Sequence, residues 1–145
     1  MLVEDVMTEG VVTIPSDVDL GEAAGSMTEK NIGCLVVISE DRTAPAGMLT
    51  ETDVLRRAVS TDKPPSEVPT KGSFTSPLIT VGPKRTVRHA VNKMLDQGVK
   101  RLPVIDDDAL DLIGMVTITD VALRYDEIRS DAAEMVQKPE TFRGK

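Results

Sequence analysis

The chain is poor in the residues that most enzymes use for chemistry. It has one cysteine, Cys34, one histidine, His89, no tryptophan, one tyrosine and two phenylalanines. A single cysteine closes no internal disulfide and builds no cysteine cage for a metal. A single histidine leaves little room for histidine-bound metal or for a Ser-His-Asp triad. Phe74, Tyr125 and Phe142 are too scattered to form a stacking face for single-stranded nucleic acid. Positive charge is also short. Lys and Arg number 17 against 24 Asp and Glu, a formal net charge of −7. That balance argues against a general binder of nucleic acid or anionic membrane, though not against a local basic pocket. No apolar run approaches the ~18 residues of a membrane span. The opening Met1-Leu2-Val3-Glu4-Asp5 lacks a charged-then-apolar leader, so a cytoplasmic location is the expectation. What remains is an ordinary globular composition, 40% apolar and 28% charged over 145 residues. Such a length buries roughly 70% of the unfolded surface, in a core of Val, Ile, Leu, Met and Ala.

What the chain does have is a repeat. Shifted by 67 residues, Gly47-Met48-Leu49-Thr50-Glu51-Thr52-Asp53-Val54 falls on Gly114-Met115-Val116-Thr117-Ile118-Thr119-Asp120-Val121. Leu35, Val37 and Ile38 fall on Leu102, Val104 and Ile105, and Thr13, Ala23, Met27 and Arg57 on Thr80, Ala90, Met94 and Arg124. Each copy reads β-α-β-β-α. A short strand (Val11–Ile14, Leu78–Val81) precedes an amphipathic helix whose apolar positions, Leu20/Ala23/Ala24/Met27 and Val87/Ala90/Val91/Met94, share one face. Two strands follow, Cys34–Ile38 with Ala46–Leu49 and Leu102–Ile105 with Leu112–Val116. They are separated by turn-rich Asp41-Arg42-Thr43-Ala44-Pro45 and Asp106-Asp107-Asp108, as in hairpins. A second helix is expected over Val54–Val59 and Val121–Ile128. The fold class is α+β, with one copy over residues 1–60, a Pro- and Gly-containing linker without a core of its own over 61–76, and the second copy over 77–130. A helix end and tail fill 131–145. Neither copy buries enough alone, so the two are expected to pack sheet to sheet about a pseudo-twofold axis, leaving two related clefts.

The sharpest motif is Gly-x-x-Thr-x-Thr-Asp, present at Gly47–Asp53 and Gly114–Asp120. At a strand-to-helix junction, Gly admits a close approach of ligand to backbone. Thr hydroxyls and helix N-terminal amides suit phosphate, and a carboxylate accepts from vicinal ribose hydroxyls. The same Thr and Asp also serve as helix caps that need no ligand.

A tandem pair of such units resembles a pair of cystathionine-β-synthase (CBS) domains, the Bateman module. Val3-Glu4-Asp5-Val6-Met7-Thr8 and Lys100-Arg101-Leu102-Pro103-Val104-Ile105 are similar to that family's opening and middle strand. The resemblance spans Val3 to about Ile128 and implies adenine-containing ligands (AMP, ADP, ATP or S-adenosylmethionine), a regulatory role toward a partner, and dimers. By position it places Asp53 and Asp120 on ribose, and Thr50, Thr52, Thr117 and Thr119 on ribose and phosphate. Thr13-Ile14 and Thr80-Val81 would line the adenine. Ile32, Gly33, Cys34 and Leu35 would form the opposite wall, as would Val99, Lys100, Arg101, Leu102 and Pro103. Lys100 and Arg101 align with Gly33 and Cys34, so the two clefts are chemically unequal and only one has this basic pair for phosphate. Arg57 and Arg124 are either further phosphate partners or surface helix residues.

Other residues read as structural: Cys34 as a small half-buried side chain, His89 as solvated, and Asp106–Asp108 as a hairpin turn rather than a cation loop. No nucleophile has a base beside it, and no Gly-Lys-Ser/Thr loop is present, so a catalytic function and a catalytic cofactor are not expected. The reading is a module that binds an adenine nucleotide and signals to an unidentified partner. A homodimer is expected through apolar Val54, Leu55, Val121 and Leu123. The alternatives are a scaffold with non-functional clefts, or binding of S-adenosylmethionine or NAD.

Overall fold

The computed structural model describes residues 1–41, 44–76, 78–127 and 129, so the expected helix end and tail over 131–145 lie outside the described residues. The order of elements is α1 (Val3–Val6), β1 (Thr13–Pro15), α2 (Leu20–Lys30), β2 (Cys34–Ile38), β3 (Pro45–Thr50), α3 (Glu51–Thr61), a 3-10 turn (Pro65–Glu67), α4 (Val87–Gln97), β4 (Arg101–Ile105), β5 (Leu112–Thr117) and α5 (Ile118–Leu123). The architecture is mixed α+β with two sheets. Two compact units emerge: Val11–Ile79, and Met1–Gly10 together with the chain from Thr80 onward.

In the Val11–Ile79 unit, β1 runs parallel to β2, and β2 and β3 form an antiparallel hairpin with a bulge at Val37/Ile38. Ile14, Leu20, Ala23, Met27, Leu35, Val37, Leu49 and Val68 make its core. Seven of these eight recur 67 residues later as buried Val81, Val87, Ala90, Met94, Leu102, Val104 and Val116. The apolar helix stripes therefore point inward as the 3.6-residue period requires. Asp19 and Thr86, again 67 apart, cap α2 and α4 by accepting the N–H of Glu22 and His89. Asn31 (φ 53°) and Gly98 (φ 68°) close the same helices in the left-handed conformation, which is available chiefly to Gly and Asn.

The other unit pairs β4 with β5 and bulges at the equivalent Val104/Ile105. The strand expected at Leu78–Val81 shrinks to one bridge, Val81 with Val104. Its sequence gives the reason. In the first copy Val36 N–H donates to Val12 C=O at 3.1 Å. The equivalent of Val36 is Pro103, which has no N–H to donate. Both final helices also begin earlier than expected, at Glu51 and Ile118, because Thr50 and Thr117 rather than later residues are their caps. The last helix breaks at Arg124, with helical geometry again over 125–127.

The segments leading into each copy are exchanged. Residues 1–8 lie on the second copy: Val87 N–H donates to Met1 C=O, Val3 N–H to Arg85 C=O, and Thr8 and Met115 exchange a pair of backbone bonds at 2.8 and 2.9 Å. Residues 68–75 do the same on the first copy. Leu20 N–H donates to Val68 C=O, Thr70 N–H to Val18 C=O, and Thr75 and Met48 exchange bonds at 3.0 and 3.1 Å. The stretch read as a coreless linker is thus part of a core, with Val68 and Thr70 both fully or nearly fully buried. The motif glycines serve this pairing. A Cβ on Gly47 would collide with the Phe74 ring and the Thr75 carbonyl, and one on Gly114 with Met7 Sδ. The close approach expected of a ligand is made by the chain itself.

Gly47→Ala is expected to cost about 3 kcal/mol in denaturant unfolding, because the Thr75 carbonyl, well inside contact distance of the new Cβ, must retreat, while Gly114→Ala costs about 1 kcal/mol, because the Met7 thioether can rotate away and the Thr8 carbonyl at 3.1 Å need shift only slightly. Thr70 Oγ1 is buried with no hydrogen-bond partner, and its repeat equivalent is buried Val3. Thr70→Val is expected to leave the midpoint unchanged or raise it.

Candidate functional site

Within each unit, the hairpin and the helix that follows bring the motif residues together. Cys34 lies opposite Thr50 across the β2–β3 ladder, and Arg101 opposite Thr117 across β4–β5. The first N–H of each following helix closes the corner: Glu51 N–H donates to Gly33 C=O at 3.1 Å and Ile118 N–H to Lys100 C=O at 2.9 Å. Thr50 Oγ1 accepts the Asp53 N–H at 3.2 Å, while Asp53 Oδ2 accepts the Thr50 N–H at 2.9 Å. Thr117 and Asp120 form the same reciprocal box at 3.0 and 3.1 Å. One carboxylate oxygen and one hydroxyl of each pair are therefore held in place by the backbone. The two carboxylates are half-buried, and Asp53 Oδ1 stands 3.7 Å from Arg56 Nη1. Thr52 and Thr119 are exposed in the first turn of each helix.

The expected wall residues divide by burial. Ile14, Leu35, Val81, Leu102 and Pro103 are buried; Ile32, Gly33, Cys34, Thr80, Val99 and Arg101 are half-buried; Thr13 and Lys100 are exposed. Thr13 and Ile14 are joined to the middle strand by pairing with Val36 and Val37. Ile32, Gly33 and Glu51 line a cavity of about 320 Å³ together with Met27, Thr28 and Asn31. The Glu51 carboxylate lies where a side chain on Gly33 would begin. In the second copy those positions are Lys100 and Ile118. The same corner is thus acidic in one copy and basic in the other. Lys93 was not foreseen: its Nζ donates to Thr80 C=O at 2.5 Å, adding a cation beside Thr80. The repeat alignment held the clue, since its counterpart is uncharged Ser26.

A family model describing the CBS domain matches residues 3–60 and 66–127. The chain belongs to the CBS domain family. Its two CBS motifs are out of phase with its two compact units, because each matched segment starts with a leader that packs on the other copy. The CBS pair is 37% identical over 119 residues to an uncharacterized protein of Methanopyrus kandleri, covering 82% of this chain and 60% of that relative. A conserved CBS domain protein of unknown function from Thermoplasma acidophilum has a similar fold, with a TM-score of 0.77, 27% identity, and coverage of 84% of this chain and 67% of that one. So does a CBS domain protein from Pyrobaculum aerophilum complexed with AMP, with a TM-score of 0.74, 24% identity, and coverage of 83% and 90%.

Residues outside the corners behave more simply. Asp106 accepts the N–H groups of Asp108 and Ala109, which holds its carboxyl below the ordinary range and fixes the expected hairpin turn. Among the described residues, no cluster of His, Cys, Asp and Glu could hold a metal. No helix is long and apolar enough to cross a membrane, again among the described residues. His89 is half-buried rather than fully solvated, and its Nδ1 lies 3.0 Å from Arg85 Nη2. Partial desolvation and the neighbouring Arg85 and Lys93 charges push its pKa below 6.5. The unfolded chain therefore binds the proton first, so the contribution of neutral His89 is present above pH 6.5 and is lost as pH falls. Between pH 7.5 and 5, wild type is expected to lose melting temperature relative to His89→Gln; parallel pH melts check this.

Proposed function

We propose that this CBS pair is a non-catalytic regulatory module that binds an adenine nucleotide, AMP, ADP or ATP. The observation that carries the reading is the second copy's corner, where Arg101 faces Thr117 across the ladder while Lys100 closes the turn into the helix bearing Asp120. A guanidinium and an ammonium at a helix N-terminus suit a phosphate, and the carboxylate one turn on suits a ribose diol. Thr80 and Val81 supply an apolar and backbone edge for the base. The first copy, through Thr13, Ile14, Ile32–Leu35, Thr50, Thr52 and Asp53, offers the same frame without the basic pair. AMP in the Pyrobaculum aerophilum protein supports the ligand class. Binding favours whichever arrangement of the module holds the nucleotide more tightly, and a partner reads that change. Leu55 and Val59, one turn apart on α3 and 66% and 72% exposed, with Leu123 on α5 at 80%, suit a homodimer or that partner. Val54 and Val121 are half-buried and so offer less apolar surface.

The capping boxes favour one competing reading, a scaffold in which both aspartates only hold helices. Thermal shift separates the two. At a hundredfold excess over its dissociation constant, a ligand adds about 2.7 kcal/mol to native stability. AMP, ADP or ATP is expected to raise the melting temperature of wild type. In Arg101→Gln, nucleotide affinity falls about tenfold or more while adenosine affinity is unchanged. Flat traces with every nucleotide, S-adenosylmethionine and NAD would leave the scaffold.

A further inference from the structure

We infer that the Val11–Ile79 unit carries a phosphate-binding pocket of its own on the α3 flank of Asp53. The pocket, about 290 Å³, is lined by Asp53, Arg56, Arg57, Ser60, Gly72 and Ser73. Thr13, Ile14 and Ile32–Leu35, the residues proposed for the base, take no part in it. Two adjacent guanidiniums face one carboxylate, so the lining is net positive in a chain of net charge −7. Asp53 Oδ2 is already held by the Thr50 N–H, and its Oδ1 is loosely paired with Arg56 at 3.7 Å. Arg57 Nε is shut off from solvent and donates to no protein group, so an anion in the pocket meets Arg57 through the rest of its guanidinium. The hydroxyls of Ser60 and Ser73 donate to the carbonyls of Arg57 and Pro69, so the guanidiniums are the side-chain groups left to hold an anion.

The repeat shows what an anion does at this place. Arg124, the equivalent of Arg57, is engaged through both terminal nitrogens: Nη1 donates to Asp5 C=O, and Nη2 to Glu127 Oε2 at 2.9 Å. The equivalent of Glu127 is Ser60, and the equivalent of Leu123 is Arg56. The first copy thus has a small hydroxyl where the second has that carboxylate, and a second guanidinium where the second has a leucine. An external oxyanion with several acceptors takes the vacated role, and a tetrahedral phosphate matches two forked guanidiniums better than a halide does. The phosphate is either free in solution or the phosphoryl group of a nucleotide whose ribose lies on Asp53.

Nitrogen–proton correlation spectra of the full chain test this, titrating inorganic phosphate against sodium chloride at constant ionic strength. Saturable shifts at the Gly72 and Ser73 amides and at Arg57 Nε–H are expected, at least tenfold weaker in Arg57→Gln. Ser60→Glu rebuilds the second copy's ion pair, so it is expected to keep the melting temperature of wild type and lose the response. Adenosine and AMP separate the sources. If the nucleotide supplies the phosphate, AMP moves Gly72 and Ser73 and abolishes the response to inorganic phosphate, while adenosine does neither. If free phosphate is the ligand, the response persists in AMP-saturated protein. Equal shifts with chloride, or an unchanged response in both Arg57→Gln and Ser60→Glu, overturn the pocket. A phosphate response without any adenosine or AMP binding would refute the nucleotide reading and leave the pocket standing.

Discussion

Main chain meets main chain at Gly47 and Gly114, and the rest of each unit is arranged around that contact. Because no side chain intervenes, Thr75 and Thr8 can each exchange two backbone hydrogen bonds with the middle of a hairpin strand. That pairing covers what would otherwise be an exposed strand edge. It also fixes the path of the leader, which brings Val68 and Val3 into buried positions and lets the carbonyls of Val68 and Met1 receive the starts of α2 and α4. The hairpin then delivers its last residue, Thr50 or Thr117, as the cap of the following helix. The aspartate held in each capping box is placed by the same chain of contacts.

Much of this could be read beforehand because it follows from periodicity. The apolar stripes of α2 and α4, the hairpins and the Asp106 turn all rest on local rules that a repeat shows twice. What escaped the sequence was non-local. Nothing in residues 61–76 announces a core segment, since their Pro, Gly and Ser content is that of a linker; burial of Val68 and Thr70 depends on which strand the segment meets. The glycine of the motif drew a functional explanation when its neighbour was the chain's own backbone. The missing strand at Leu78–Val81 was written in Pro103, but only once the pairing partner was known. For the candidate site, the unequal charge of the two corners followed from the alignment of the copies, which sets Lys100 and Arg101 against Gly33 and Cys34. The contacts of Lys93 and of Arg57 did not, because they depend on side-chain reach.

The two copies hold nearly the same backbone and have diverged in charge. Gly33 and Glu51 stand where Lys100 and Ile118 stand, and Arg56 and Ser60 where Leu123 and Glu127 stand. Each exchange moves charge by one or more units at a corner or helix flank without altering a buried position. Such changes are inexpensive for folding, since exposed charges contribute little to stability. They weigh heavily on which ligand charge a site tolerates. Duplication supplies two frames, and surface substitution gives them different preferences.

The exchanged leaders tie the two copies together. A gene encoding only one copy would make a chain whose hairpin lacks the leader that, in the present protein, comes from the other repeat. Two such chains could satisfy each other by reciprocal donation, each lending its first residues to its mate, as in a domain-swapped pair. Fusing the two genes would then convert a concentration-dependent association into a connection within one chain, at an effective concentration set by a short tether. The 67-residue repeat thus carries within one chain the leaders that single copies would have to lend each other.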